Sequence, residues 1–126
     1  MSTTLKQLMA AANSVVPRLS TQEAKDKIEQ GNVTILDVRD GSEVSATGKI
    51  KGAIHGSRGL LEFKADPESP THAPDLTPDK TILVYCGSGG RAALAGKTLK
   101  DLGYVSVFNI GAFKELAEAG IAVERG

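Results

Sequence analysis

The chain has 126 residues, 40% of them hydrophobic and 24% charged, with 15 basic and 15 acidic side chains and a formal net charge of zero. That is globular composition, long enough to bury one core without disulfides or metal. It lacks the basic excess of a phosphate-tracking nucleic-acid binder. No stretch approaches the roughly 20 apolar residues that span a bilayer, so neither a nucleic acid nor a membrane is expected as a partner.

The N-terminal MSTTLKQLMAAANSVV reads as an amphipathic helix over about 4–14 rather than a signal-peptide core. Ser20 followed by Glu23 is a capping box that opens a second helix, which runs to Gln30 and stops at Gly31. Val33 to Val38 is a nearly continuous β-branched run, the pattern of a strand covered on both faces. Gly52 to His55 reads as a very short strand. Asp66 to Lys80 carries four of the five prolines and reads as a long surface loop. Thr81 to Cys86, TILVYC, is the clearest strand, followed by a helix from Gly90 to Leu102 with Gly103 as its stop. Val105 to Asn109 is a further strand, and Ala112 to Ala119 a last helix ended by Gly120. Strands alternating with helices predict parallel pairing through right-handed crossovers, hence a three-layer α/β/α domain with a small parallel sheet. The expected domain is 1–126, its core about 19–123.

Cys86 is the only cysteine. It cannot close an internal disulfide, which agrees with a reducing compartment, and the cytoplasm is the expected location. It opens Cys86-Gly87-Ser88-Gly89-Gly90-Arg91, between a buried strand and a helix start, where ligand sites of open α/β sheets gather. A Walker-type phosphate loop built on Gly96-Lys97-Thr98 would need a glycine where Arg91 stands, and those residues fall inside the predicted helix. Gly87 to Ala92 matches a dinucleotide fingerprint, but the following strand ends in Asn109-Ile110-Gly111, without the ribose-binding acid. The third reading makes Cys86 the centre of the loop. Glycines let the amides of residues 87–91 curl round its sulfur, and those amides with the helix dipole favour a negative charge there. Arg91 adds a fork of donors for an anion.

These residues resemble the active-site loop of the rhodanese family of sulfurtransferases. Leu36-Asp37-Val38-Arg39 with Glu43 resembles the family's D-V-R…E segment, and Gly48 to Ile54 its G-H-I-P-G-A-I turn. Asn109 to Phe113 with Ala119-Gly120 resembles its closing segment. The four stretches stand in the family's order, with departures at Lys49, Lys51, Ala112 and Leu116. The resemblance implies a rhodanese fold and a sulfur-transfer enzyme of the thiosulfate sulfurtransferase type. Cys86 would be its nucleophile and persulfide carrier, with no metal and no organic cofactor. Gly87, Ser88, Gly89, Gly90 and Arg91 would hold a small anionic sulfur donor, and a thiol or cyanide would accept the sulfur. A persulfide carrier serving a sulfur-accepting protein is the alternative. The phosphatases and arsenate reductases of the same fold carry one more residue in the loop than Cys86-x4-Arg91. Arg58 is a candidate second anion contact at the pocket mouth. Asp37 and Arg39 are expected near the site as structural ties of a strand end, with Glu43 as a candidate partner. His55 and His72 have no metal-ligand spacing.

Overall fold

The computed structural model describes residues 2–125, so the outermost residue at each end of the expected 1–126 domain lies outside the described residues. The helices are α1 (Leu5–Val15), α2 (Thr21–Gln30), α3 (Gly41–Thr47), α4 (Leu61–Ala65), α5 (Gly90–Asp101) and α6 (Phe113–Glu118), with a 3-10 turn at Arg58–Leu60. The strands are β1 (Val33–Asp37), β2 (Lys49–Ile50), β3 (Ile54–His55), β4 (Thr81–Cys86), β5 (Ser106–Ala112) and β6 (Val123–Glu124). A four-stranded parallel sheet has the order β3-β1-β4-β5, and β2 pairs with β6 as a separate antiparallel ribbon. No described helix is long and apolar enough to cross a membrane.

Side chains of a strand alternate between faces, and β4 does so inside two apolar layers. Ile82, Val84 and Cys86 pack with Val16, Leu61, Leu76, Leu99 and Val107 on the face covered by α1, α4 and α5. Leu83 and Tyr85 pack with Ala24, Ile35, Ile50 and Leu116 on the face of α2 and α6. This is why TILVYC is apolar throughout. Gly96 lets α5 approach α1: a Cβ there would lie 2.8 and 2.9 Å from the two methyls of Val16.

Five features depart from the sequence expectations. Gly41–Thr47 and Leu61–Ala65 are helical, and the β2–β6 ribbon exists; none is long enough to show a periodicity. β5 continues to Ala112, with Ile110 as one extra residue between the pairs Val84–Asn109 and Tyr85–Gly111, a bulge that lets the strand turn past Gly111 at φ 94°. The Pro-rich segment 66–80 has no helix or strand, but it is not a free loop. Leu76 is fully buried, and the Tyr104 hydroxyl donates to the carbonyls of Ala65 and Leu76 at 2.7 and 2.8 Å. Its end leads into the amino end of β4, some 17 Å from Cys86 at about 3.3 Å per residue, so that part is no lid over the cysteine.

Candidate functional site

From β1 the chain leaves toward β3 on one side, and from β4 toward β5 on the other. The carboxyl ends of β1 and β4 therefore form the point where strand order reverses, and a crevice opens there. Asp37 and Tyr85 are register partners at that point, and Cys86 is the next residue.

Cys86 is completely buried, on the α5 side. Its Sγ accepts from the backbone N–H of Gly89 at 2.9 Å and of Ala92 at 3.4 Å. A helix start normally finds a side-chain oxygen for the amide at its third position. Gly89, the cap of α5, has no side chain, and the sulfur takes that place. Gly89 reaches this geometry at φ 96° and ψ −16°, a conformation that favours glycine. The amides of Ser88, Gly90 and Arg91 donate to no described backbone group outside regular ladders and to no described side chain. A Cβ on Gly90 would meet nothing within 4 Å. Gly87 and Ser88 are exposed at the rim. The loop is tied to β5 by Asn109, whose side chain donates to the Gly89 carbonyl at 3.0 Å and accepts from the Gly111 amide at 2.9 Å.

Arg91 does not stand free. Its two terminal nitrogens donate to the two carboxylate oxygens of Glu43 at 2.6 and 3.0 Å. The hydrogen bonds from Arg91 hold the Glu43 carboxyl down at about 2, well below the ordinary range, and the same bonds raise the Arg91 guanidinium. Glu43 also accepts from the Asp40 amide at 3.1 Å, so the first turn of α3 fixes its direction. A Cβ on Gly87 would lie 2.9 Å from Arg91 Nη2 and 3.4 Å from Glu43 Oε2, so the ion pair runs directly over that residue.

Asp37 and Arg39 lie beneath, 0% and 3% exposed. As residues i and i+2 of an extended segment they share a face, and Arg39 Nε and Nη2 meet Asp37 at 3.1 and 2.8 Å. Arg39 also donates to Thr47 Oγ1 and to the Gly48 carbonyl. Tyr85 donates to Asp37 at 2.7 Å and accepts from the Ile50 amide at 2.9 Å. Burial raises the Tyr85 phenol far above its usual range, so it stays protonated and keeps donating. The expected Glu43 partner of this pair is instead the partner of Arg91. Arg58 is not brought to the loop either. The 3-10 turn carries its guanidinium to Glu62 at 3.2 Å and to Thr98 Oγ1 at 2.9 Å, about 12 Å along α5 from Gly90 at 1.5 Å per residue. His55 and His72 bond to the carbonyls of Arg39 and Leu76. No group of three or more potential metal ligands occurs among the described residues.

Sequence reasoning did not single out Glu43 as the partner of Arg91, or Asn109 as the tie of the loop. Both pairings join segments far apart in the chain, and only the matched position of Glu43 after Asp37-Val38-Arg39 pointed that way.

A parallel α/β sheet presenting a buried thiol in an amide-lined loop at its switch point defines the class: a cysteine-loop domain. Residues 20–119 match the model of the rhodanese-like domain, and the chain belongs to that family. It is 30% identical over 98 residues to YrkF of Bacillus subtilis, a protein named as a sulfur carrier, covering 77% of this chain and 48% of that protein. The chain thus spans about half the length of that relative. A structure from Rhodopseudomonas palustris, of a protein of unknown function named as a possible tyrosine phosphatase, superimposes with a TM-score of 0.87 at 38% identity, over 98% of this chain and 96% of that one. The polysulfide-sulfur transferase homodimer of Wolinella succinogenes gives 0.74 at 33% identity, over 94% and 85%.

Proposed function

We propose that the chain moves a sulfane sulfur from a small anionic donor to a thiol or cyanide, through a persulfide on Cys86. The observation that carries this reading is the sulfur itself: Sγ already accepts two backbone N–H groups at a helix start, within a loop whose Ser88, Gly90 and Arg91 amides have no described partner outside regular ladders. Such a bowl holds a negative sulfur without a counter-ion in contact. With thiosulfate, the Cys86 thiolate attacks the outer sulfur. A bond forms between the two sulfurs, the sulfur–sulfur bond of thiosulfate breaks, and sulfite leaves with its electron pair. The loop amides at Gly87, Ser88, Gly89, Gly90 and Arg91 then face the new terminal sulfur anion. Cyanide or a thiolate attacks that sulfur and departs as thiocyanate or a persulfide, returning the Cys86 thiolate. This is covalent catalysis in two steps, and it suits a reducing compartment such as the cytoplasm, where the thiol stays free. Arg91, paired with Glu43, positions the loop mouth. Polysulfide is a second donor of the same kind, suggested by the name of the Wolinella relative.

A carrier role, handing the sulfur to a partner protein, is favoured by the name of the Bacillus relative, and uses the same persulfide. Phosphate-ester hydrolysis fits less well. Four residues separate Cys86 from Arg91, and a phosphate dianion would meet the Glu43 carboxylate that already occupies the Arg91 fork.

The test is to incubate the protein with excess thiosulfate, remove the donor and weigh the intact chain. A gain of one sulfur, about 32 Da, should appear, vanish on adding cyanide, and be absent from Cys86→Ser. Turnover with cyanide supports the enzyme; loading with slow discharge to every small acceptor supports the carrier. No gain with thiosulfate, polysulfide or mercaptopyruvate, with hydrolysis of a phosphate ester instead, would overturn the sulfur reading.

A further inference from the structure

Pro17 to Leu19 leaves α1 as an added edge of the sheet. The Asn109 amide donates to the Pro17 carbonyl and the Leu19 amide to the Asn109 carbonyl, both at 3.0 Å, a parallel bridge that fixes Arg18 beside β5. The Arg18 side chain then lies across two residues that have no Cβ. A Cβ on Gly89 would stand 3.1 Å from Arg18 Nη1, and one on Gly111 would overlap Arg18 Nη2. Both glycines have positive φ, and both are held by the same Asn109 side chain. Gly89 is the residue whose amide meets the Cys86 sulfur. The guanidinium therefore rests on a bare backbone shelf at the wall of the loop.

Its charge is not consumed there. Arg18 is exposed and makes no hydrogen bond and no ion pair among the described residues. Arg91, Arg39 and Arg58 are each committed to a carboxylate, at Glu43, Asp37 and Glu62. Summing the contacts through Gly89 puts Arg18 Nη1 no more than about 9 Å from Sγ. A reacting sulfur stands roughly 3.5 Å from its nucleophile, and a charge-assisted hydrogen bond takes roughly 2.8 Å. At most about 2.7 Å is then left between the two, the reach of a small anion whose charge lies one or two bonds behind the sulfur being transferred.

We propose that Arg18 is the anion-binding residue of this site for the non-transferred end of the donor: the sulfonate of thiosulfate, or the terminal anionic sulfur of a polysulfide. Arg91 is then a positioning residue, and Arg18 selects donors by charge. The inference rests on the sulfur-transfer reading above. It gives a use to the absence of a Cβ at both residues the guanidinium covers, Gly89 of the loop and Gly111 of β5.

The experiment follows Cys86 by quenched-flow mass spectrometry: the second-order rate at which it takes one sulfur from thiosulfate, and the rate at which it takes an alkylthio group from a neutral dialkyl trisulfide, whose other two sulfurs leave as an alkyl persulfide anion. Arg18→Gln should slow loading from thiosulfate about 10-fold, as loss of a hydrogen bond to a charged group does, and change the rate of alkylthio transfer from the trisulfide less than about twofold. Arg18→Lys should recover part of the thiosulfate rate, since the charge returns without the fork. The salt dependence of the thiosulfate rate should flatten in Arg18→Gln, while Lys80→Gln, at the opposite end of β4, changes neither rate. Wild-type rates in Arg18→Gln would overturn the proposal. So would an equal loss with both reagents, the mark of a structural role at the Gly89 shelf. A wild-type chain that takes no sulfur from thiosulfate or from polysulfide refutes the sulfur-transfer reading itself, and Arg18 with it. An urea midpoint for Arg18→Gln matching the wild type shows that the fold is intact, since the bridge to β5 is made by backbone atoms alone.

Discussion

Gly89 and Gly90 are adjacent, and the structure gives alanine opposite effects at the two positions. Gly89 caps α5 at φ 96°. A left-handed backbone costs a residue with a Cβ about 1–2 kcal/mol, more than the roughly 0.4–1 kcal/mol gained from stiffening the unfolded chain. The Cβ would also press on Arg18 Nη1 at 3.1 Å, a flexible end that yields cheaply. Gly90 has no positive φ, begins the helix, and a Cβ there meets nothing. Alanine at Gly90 therefore keeps the unfolded-state gain without the strain. Gly89→Ala should lose about 1 kcal/mol and Gly90→Ala gain about 0.5 kcal/mol, a separation near 1.5 kcal/mol. With a urea m-value of roughly 1.5 kcal/mol/M, the unfolding midpoints should lie about 1 M apart. Far-UV circular dichroism in urea measures this directly. Coincident midpoints, or a lower midpoint for Gly90→Ala, would refute the reading of Gly89 as the strained cap. The Gly89→Ala protein should also load sulfur more slowly, because relaxing φ swings the Gly89 amide off Sγ.

Tyr85→Phe leaves the buried Ile50 amide without its acceptor and removes a donor from Asp37; the expected loss is about 2–4 kcal/mol, and a change below about 0.5 kcal/mol in thermal unfolding contradicts it. Gly96→Ala sets a clash with Val16, about 1–3 kcal/mol of overpacking, against about 1 kcal/mol of helix propensity. Combining it with Val16→Ala should relieve the clash, and a double-mutant cycle with no coupling would disprove the close approach. Glu43 is held at about 2 by Arg91. Its folded value is depressed, so the pair's contribution is complete above the ordinary carboxylate range and fades as pH falls through about 2. A carboxyl carbon NMR titration of Glu43 near pH 4.3, the ordinary value, would show that the pair does not form.

What could be read from the chain alone follows from how local the cause is. The strand Thr81–Cys86 announced itself because both its faces are buried. α5 did so through its apolar period, and Cys86 through glycines that only a tight loop needs. The pairing of Asp37 with Arg39 needs just two residues of spacing on one strand face. The pairs Glu43–Arg91 and Arg18–Gly111 join segments 48 and 93 residues apart, and no local pattern encodes them. α3 escaped notice because Gly41, Ser42, Ser45 and Thr47 are poor helix formers; its end is instead held by Thr47 on Gly48 and Arg39. Arg58 misled for a related reason. It directly follows the strand pair β1–β3 at the site end of the sheet, but the 3-10 turn sends its side chain to Thr98.

Tyr85 and Cys86 show how the sheet serves the loop. They are neighbours on one strand, so they point to opposite faces. Tyr85 is fastened below to Asp37 and to the Ile50 amide, which ties β4 to β1 and to the β2–β6 ribbon. That anchorage fixes the direction in which the next residue leaves the sheet. Cys86 then presents its sulfur above, at the start of α5, where Gly89 and Ala92 meet it. Asn109 holds the far side of the same loop to β5. A reactive group placed on a strand end and braced on three sides keeps its geometry while its partner atoms change. The bracing is made by Asp37, Tyr85, Asn109 and Glu43, none of which needs to touch the sulfur that the proposed reaction would transfer. Their substitution should therefore shift loading rate and stability together, whereas loss of Arg18 should shift the rate with anionic donors alone.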